Sequence, residues 1–156
     1  MSEVSAPMLK RLDRPRAMDG CLVHSLRSRL RAAGLRPTRQ RVALGWSLFG
    51  KGHRHVTAEM LFEEAKAAKS PVSMATIYNT LHQFTQAGLL REIAVEGSTA
   101  HFDTNTTPHG HFLVEDTGDL LDIPESSLRP IEPPIPPEGY EIDRVELVVR
   151  IKRARQ

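Results

Sequence analysis

The segment 72–89 constrains the fold more than any other part of the chain. Ser73 can cap the first turn of a helix, and Gly88 can adopt the left-handed backbone conformation that commonly follows a helix. Apolar side chains recur between these two points at the spacing of one helical face. The residues of this face are Met74, Ile77, Leu81 and Phe84. The segment therefore predicts one short amphipathic helix.

The opposite face of this helix is small or uncharged. No Lys, Arg, Asp or Glu occurs between Ser73 and Leu90, although a helix that faces solvent normally carries several. A surface that fits a DNA groove and contacts base edges would have this composition. Periodicity leaves a second interpretation open, an ordinary core helix with an uncharged surface. This face carries Ala75, Thr76, Asn79 and Gln83. Tyr78 lies at the edge of the apolar stripe, and Ser73 is the cap.

Charge is unevenly distributed along the 156 residues, although the net charge is only +2. Twelve of the 21 Lys and Arg residues lie in the first 55 positions, with only three of the 19 Asp and Glu residues. A basic front half and an acidic back half predict a polyanion bound at one end.

Cysteine content and hydropathy exclude several classes of protein. Cys21 is the only cysteine, which excludes an internal disulfide and a structural zinc site of four cysteines. Residues 1–20 lack the apolar core of a secretory signal, and no apolar run approaches the roughly 18 residues that span a bilayer. A cytoplasmic protein that does not bind membranes is expected.

The order of elements predicts an α+β fold. After a disordered tail at 1–20, a winged helix-turn-helix domain is expected over 21–104, and a small α/β dimerisation domain with a three-stranded sheet over 105–156. The first domain has predicted helices at 21–33, 39–49, 58–69 and 72–89 and strands at 90–95 and 99–103. The second has predicted strands at 111–115, 120–123 and 140–151 and a short helix at 124–128. Its core is too small to stand alone comfortably, which predicts a homodimer that presents two recognition helices.

Six of the seven histidines lie between positions 53 and 111. His109-Gly110-His111 places two imidazoles on one side of an extended segment. With Asp103 and His55 they are the ligand types of a borderline divalent cation such as Zn, Fe or Mn. Solvated loop histidines remain the alternative. The stretch lies at the junction of the two predicted domains, where bound ligands could fix the angle between them.

The sequence resembles the ferric uptake regulator family from about Leu26 to Ile151. The motifs that carry the resemblance are GLRPTRQR (34–41), HVTAEMLFEEA (55–65), VSMATIYNTLHQFTQAGLL (72–90), HFDTN (101–105) and HGH (109–111). Within the family, HFDTN and the run from Leu35 to Ala65 are most similar to the iron response regulator (Irr) branch of alphaproteobacteria.

The resemblance implies a dimeric repressor or activator, not an enzyme, that senses iron status in the cytoplasm. Its regulatory metal site would be His55, Asp103, His109 and His111, with one Fe, Mn or Zn ion per subunit. Haem is the alternative cofactor, because iron response regulators resemble haem sensors in which the H-x-H region, here His109 and His111, is implicated. The implied partners are double-stranded operator DNA, a second copy of the chain, and haem-synthesis or degradation machinery.

The resemblance also implies DNA contacts. Tyr78 would contact a base, through a thymine methyl group, and Asn79 would pair with adenine or reach a phosphate. The implied phosphate contacts are Arg36, Thr38, Arg39 and Arg41.

Three departures from the family pattern bear on the ligands. The CxxC pairs of the structural zinc site are absent. The family's second metal site is reduced, because Gly110 and Val145 replace expected ligands and Asp122 alone remains of that set. Cys21 is followed by Leu22 rather than Pro, so Cys21 is discounted as a haem ligand and expected to be partly buried in the first helix.

Three functions stay open. The favoured one is a haem- or iron-responsive transcription factor. The second is a peroxide sensor of the same family, in which an Fe(II) site oxidises one of its own histidines. The third is a small metal-dependent hydrolase built on H-x-H, which is disfavoured because no nucleophile–base arrangement is visible.

Overall fold

A computed structural model describes residues 20–154 of the chain. Its helices are α1 (Gly20–Ala32), α2 (Arg39–Phe49), α3 (Ala58–Ala67) and α4 (Met74–Gln86). Its strands are β1 (His55–Val56), β2 (Arg91–Ile93), β3 (His101–Asp103), β4 (His111–Val114), β5 (Leu120–Asp122) and β6 (Val148–Ile151). A single 3₁₀ turn, Glu125–Ser127, lies where the short helix is predicted. The α+β fold with a winged helix-turn-helix and a second three-stranded sheet is confirmed.

Hydroxyl caps set where three helices begin. Thr38, Thr57 and Ser73 each accept a hydrogen bond from the backbone N–H three residues later, which satisfies a donor that the helix itself leaves free. Gly88, just beyond α4, has φ +74°, as expected for a left-handed residue that ends a helix. The predicted limits of α4 are therefore close to the observed ones.

The helical core is built around α4. Ile77, Leu81 and Phe84 are completely buried, whereas Ala75 and Asn79 on the opposite side are exposed. The other buried side chains come mainly from α1, α2 and α3, and include Leu30, Leu44, Leu48 and Leu61. Packing therefore fixes which face of α4 is presented to solvent.

The first sheet has the strand order β1-β3-β2, and all its pairs are antiparallel. The predicted hairpin of β2 and β3 is present, but no strand is predicted at His55, where β1 pairs with the other edge of β3. Arg54 and Thr104 hold that edge: the Thr104 N–H donates to the Arg54 carbonyl at 3.1 Å, and the Arg54 N–H donates to Thr104 Oγ1 at 2.8 Å.

The second sheet has the order β5-β4-β6, with β4 antiparallel to β5 and parallel to β6. The predicted strand over 140–151 is longer than the observed one, which begins only at Val148. Alternation alone suggests the longer strand, but β4 offers only four residues to pair with, so residues 140–147 have no ladder partner among the described residues.

The two sheets meet in a small apolar cluster. Ile93 at the end of β2 packs with Leu113 of β4 and Leu120 of β5, and Val95 and Val148 lie against them. The wing, which is the β2–β3 hairpin, is thereby attached to the second sheet by side chains as well as by the connecting chain.

Two expectations concern parts of the chain that the structure does not describe. The expected tail at 1–20 lies outside the described residues except for Gly20, where α1 begins, and the side chain of Cys21 lies outside them too.

Within residues 20–154, no helix is both long enough and apolar enough to cross a membrane.

Arg54 also ties the start of β1 to α3. Its guanidinium donates to both carboxylate oxygens of Glu64, at 3.0 and 2.5 Å, and to the Ser47 carbonyl at 3.1 Å. Burial by itself would raise the pKa of Glu64, but the hydrogen bonds and charge of Arg54, with a contribution from Lys51, lower it. Such charge-assisted pairs are among the stronger hydrogen bonds in proteins.

We expect Glu64→Gln to lower the free energy of unfolding at pH 7 by about 1 kcal/mol. Because the folded-state pKa is lowered, the stabilisation is complete above about pH 4.5, the ordinary pKa of this group. It is lost as pH falls through the lower folded-state pKa. Urea unfolding of both proteins between pH 7 and pH 3.5 should show their difference shrinking at the acid end.

Glu63→Gln is the matched control, because Glu63 is exposed and pairs only with exposed Lys66. Its effect should stay within about 0.5 kcal/mol. A difference between wild type and Glu64→Gln that is constant across this pH range would contradict the assignment.

Candidate metal centre

Two cross-strand pairs form the frame of the candidate centre. His55 of β1 lies opposite Asp103 of β3 in the first sheet, and His111 of β4 lies opposite Asp122 of β5 in the second. His109, two residues before His111, completes the group from the connecting chain. Each of the five offers one ligand atom, and these atoms all lie within 4.8 Å of one another.

The distances within the group are short and regular. His109 Nε2 lies 2.9 Å from Asp103 Oδ2 and 3.0 Å from Asp122 Oδ1. His55 Nε2 lies 3.2 and 3.0 Å from the same two oxygens, and His111 Nε2 lies 3.1 and 3.5 Å from them. Three imidazole nitrogens therefore surround two carboxylate oxygens.

This arrangement fits a divalent cation. Two ligand atoms bound at about 2.0–2.2 Å and at right angles to one ion stand roughly 3 Å apart, which is the spacing observed. The Nε2 atom of His55 is buried and, among the described residues, has no well-aligned hydrogen-bond partner. One ion of charge +2 would neutralise both carboxylates and be bound by this nitrogen. Nitrogen and oxygen ligands in this proportion suit Fe, Mn or Zn.

The loop 103–109 orients the ligands from outside. The Asn105 N–H donates to Asp103 Oδ1 at 2.8 Å, which leaves Oδ2 directed at the centre. The Thr107 carbonyl lies 2.7 Å from His109 Nδ1. A hydrogen bond from Nδ1–H to that carbonyl leaves the lone pair of Nε2 available to a metal.

Charge within the group perturbs both partners of the first pair. Burial would raise the pKa of Asp103, but its interactions with His111, His55 and the Asn105 amide hold that pKa well below the usual range. Burial by itself would lower the pKa of His55, but its contacts with Asp103 and Asp122 outweigh burial and raise that pKa. A bound ion would compete with the proton on His55.

Asp122 is the residue whose role the sequence interpretation missed. The resemblance to the family assigns Asp122 to the remains of a second metal site. In the structure it lies in the same group as the four predicted ligands. The register His111↔Asp122 is the cause, and it became visible only once β4 and β5 were paired. Within residues 20–154 the structure gathers no other group of three or more potential ligands.

The region of the supposed second site is apolar. A Cβ atom on Gly110 would lie 3.2 Å from Ile123 and Leu147 side chains and 3.5 Å from Leu128. Val145 is 52% exposed. Neither position offers a ligand, so the loss of that site inferred from the sequence agrees with the packing.

The geometry of His109 and His111 favours a single ion over haem. Both Nε2 atoms point at the same two carboxylate oxygens, and His111 is only 1% exposed. An axial haem ligand needs room for the porphyrin over its nitrogen, and that position is filled by the other ligands of the group.

We expect Asp122→Asn to weaken Mn(II) binding by about tenfold or more, because it removes both a ligand atom and a charge. Asp103→Asn should have a comparable effect. Isothermal titration of the purified protein with Mn(II) would measure both affinities.

Asp119→Asn is the control, since Asp119 lies in the same hairpin and is exposed but outside the five-residue group. Affinity unchanged by Asp122→Asn would exclude Asp122 from the centre.

Comparison with known proteins agrees with this fold. The ferric uptake regulator family matches residues 32–150. The peroxide-responsive repressor PerR of Staphylococcus aureus (strain Mu50) is 36% identical over 103 residues, which cover 66% of this chain and 69% of that protein.

Two solved structures extend the comparison. The ferric uptake regulator from Pseudomonas aeruginosa with manganese has a TM-score of 0.63 at 28% identity, over 82% of this chain and 97% of that one. The Vibrio cholerae ferric uptake regulator has a TM-score of 0.65 at 21% identity, over 81% and 98%, and supports the fold. With most of its length matched by the family and its fold shared with these structures, the chain belongs to the ferric uptake regulator family.

Proposed function

We propose that this protein is a homodimeric transcriptional regulator whose affinity for operator DNA depends on one divalent ion per subunit. The ion would be held by His55, Asp103, His109, His111 and Asp122. The observation that carries the proposal is the convergence of these five side chains from both sheets, with all ligand atoms within 4.8 Å.

The position of the centre suggests how it would act. His55 and Asp103 belong to the sheet that carries the wing, whereas His111 and Asp122 belong to the second sheet. An ion shared by both pairs would fix the wing and α4 at one angle to the second sheet. In a dimer this would set the spacing of two recognition helices against the two halves of an operator.

The division into a DNA-binding domain at 21–104 and a dimerisation and sensing domain at 105–156 belongs to the same proposal, as does a cytoplasmic location. A second copy would cover the apolar side chains that this half exposes. Those exposed by at least 37% include Leu121, Ile142, Val145 and Val149. Exposed apolar residues grouped on one small domain are typical of an interface.

The proposed DNA surface combines α4 with the start of α2. Ala75, Tyr78 and Asn79 are exposed on α4, and Ser73 and Thr76 form its cap, with 2.9 Å between their hydroxyl oxygens. Arg36, Thr38 and Arg39 are exposed near the start of α2 and would contact phosphates.

Arg41 differs from its neighbours in this surface. Its guanidinium donates twice to Gln83 Oε1, at 3.2 and 2.8 Å, and once to the Arg36 carbonyl at 2.9 Å. We infer that Arg41 mainly joins α2 to α4, and that its contact with phosphate is secondary.

Peroxide is the signal that the site supports best. Three histidines and two aspartates form the ligand set, and the relatives at 36% identity include a protein named as a peroxide-responsive repressor. Iron(II) held by these residues would supply the electrons for reduction of peroxide next to oxidisable imidazoles. Manganese would occupy the site without that chemistry.

A haem- or iron-responsive function of the Irr type is the second candidate. The likeness of residues 35–65 and of HFDTN to that branch supports it, together with the absence of CxxC pairs. Haem at His109 and His111 would require the five-residue group to open. Haem-synthesis or degradation machinery would be a partner only on this interpretation.

Fluorescence anisotropy with DNA selected by the protein from a random duplex library tests the proposal. We expect Mn(II) to increase affinity for the selected duplex by about tenfold or more in wild type and not in Asp122→Asn or His109→Ala. Equal affinity with and without metal would overturn metal control.

Two additions to this assay separate the signals. After anaerobic loading with Fe(II), peroxide should abolish binding and leave an oxygen atom on His55 or His109, detected by mass spectrometry of peptides. Stoichiometric binding of haemin, seen as a Soret shift that His109→Ala/His111→Ala removes, would favour the second candidate instead.

Salt dependence should distinguish Arg39 from Arg41. Arg39→Ala removes a phosphate contact and should reduce the slope of log affinity against log salt by about one. Arg41→Ala should leave that slope nearly unchanged but lower the free energy of unfolding by roughly 1 kcal/mol. Equal changes of slope in the two variants would contradict the structural role given to Arg41.

A further inference from the structure

An acidic residue of α3 contacts the exposed face of α4. Glu59 lies in the first turn of α3 and is exposed. The hydroxyl group of Tyr78 donates a hydrogen bond to Glu59 Oε1 at 3.2 Å. The hydrogen bond to Glu59, together with its negative charge, raises the pKa of the Tyr78 phenol.

A carboxylate is unexpected on a surface that faces phosphates. α4 itself carries no Lys, Arg, Asp or Glu, and exposed Arg36 and Arg39 near α2 are positive. Repulsion from the DNA backbone would lower the affinity for any sequence. Because Glu59 would lower the affinity for all DNA, its presence is better explained by a role in discrimination between sequences.

The contact restricts the motion of Tyr78. The residue is 39% exposed, so packing covers only part of it. Glu59 holds the hydroxyl end, and the ring of His82 lies on the same helix with its centroid 6.4 Å away at an interplanar angle of 62°. Held at its hydroxyl end, the ring keeps one orientation before DNA arrives, which reduces the entropy lost on binding.

We propose that Glu59 is a specificity-determining positioning residue, which orients the ring of Tyr78 toward a base and weakens binding to all other DNA. The proposal rests on the proposed function, since it requires that α4 enter the major groove. It assigns Glu59 no direct base contact, so its effect on base preference passes through Tyr78.

Three substitutions separate orientation from charge. Glu59→Ala removes both the acceptor and the charge. Glu59→Gln removes the charge but keeps an oxygen that can accept from Tyr78. Tyr78→Phe keeps the ring and removes the hydroxyl. Glu63→Gln serves as the control for loss of a negative charge one turn further along α3, because Glu63 contacts Lys66 and not Tyr78.

The experiment is selection from a random duplex library with Mn(II)-loaded protein, followed by affinity measurements on the selected and on a scrambled duplex. Glu59→Ala and Tyr78→Phe should relax base preference at the same position of each half-site, by about tenfold. Their combination should relax it no further, as expected for two residues that act as one unit. Glu59→Gln should keep the preference but bind the scrambled duplex several times more tightly.

Several results would overturn the proposal. One is selection of the wild-type sequence by Glu59→Ala. Another is a change at a different base pair in Glu59→Ala than in Tyr78→Phe, as expected if Glu59 itself contacted a base amine. If Glu63→Gln increased the affinity for the scrambled duplex as much as Glu59→Gln, the effect of Glu59 would be that of any negative charge on α3. Failure of wild-type protein to select any sequence would instead overturn the proposed function, and thermal unfolding of each variant would identify a loss of fold.

Discussion

Two carboxylates lie against three imidazoles at the point where the two sheets of this protein meet. Asp103 is 1% exposed, and a buried carboxylate is unfavourable unless positive charge or hydrogen bonds compensate it. The surrounding imidazoles can provide that compensation by taking up protons, and a metal ion can provide it without protons. Without an ion the junction would be held by hydrogen bonds and ion pairs, and with one it would be held by coordination.

On the proposed function, the wing is the element whose position a bound ion would fix. It is attached to the second sheet by the Ile93 cluster, by an ion pair of 3.7 Å between Arg91 and Glu146, and by a hydrogen bond from Arg150 to the Glu96 carbonyl. The two polar contacts are partly exposed, so their contribution to stability is small. A change in angle at the metal centre would be transmitted to the wing as a whole, because the strands of the first sheet are joined through β3.

Much of the fold could be predicted from the sequence because its information is local. Thr38, Thr57, Ser73 and Gly88 mark helix limits through the chemistry of their own side chains or backbone, and the apolar period of α4 identifies its buried face. β1 could not be predicted this way, since a strand of two residues has no period and exists only through β3. The predicted length of β6 was wrong for a related reason, because a strand ends where its neighbouring strand ends.

The same distinction applies to the site. Three His and one Asp were found from residue type and from resemblance to a family, but the place of Asp122 depends on the register between β4 and β5. An exposed aspartate in a hairpin carries no local sign that its oxygen lies 3.0 Å from imidazoles far away in the sequence. The contact of Glu59 with Tyr78 also depends on how α3 packs on α4, and 19 positions separate the two residues.

The parallel pairing of β4 with β6 has a consequence for the order in which the molecule folds. α1 to α4 and the β2–β3 hairpin form between neighbours close in the sequence, whereas the β1–β3 and β4–β6 ladders do not. His55 lies 48 positions before its partner Asp103, and His111 lies 37 positions before its partner Val148, with the prolines of 130–137 between them. Contacts that close long loops form late. During synthesis the helical part can therefore acquire its structure while His111 still lies in an unfinished sheet. Ion capture by all five ligands would thus belong to the final stage of folding, after the DNA-reading surface has formed.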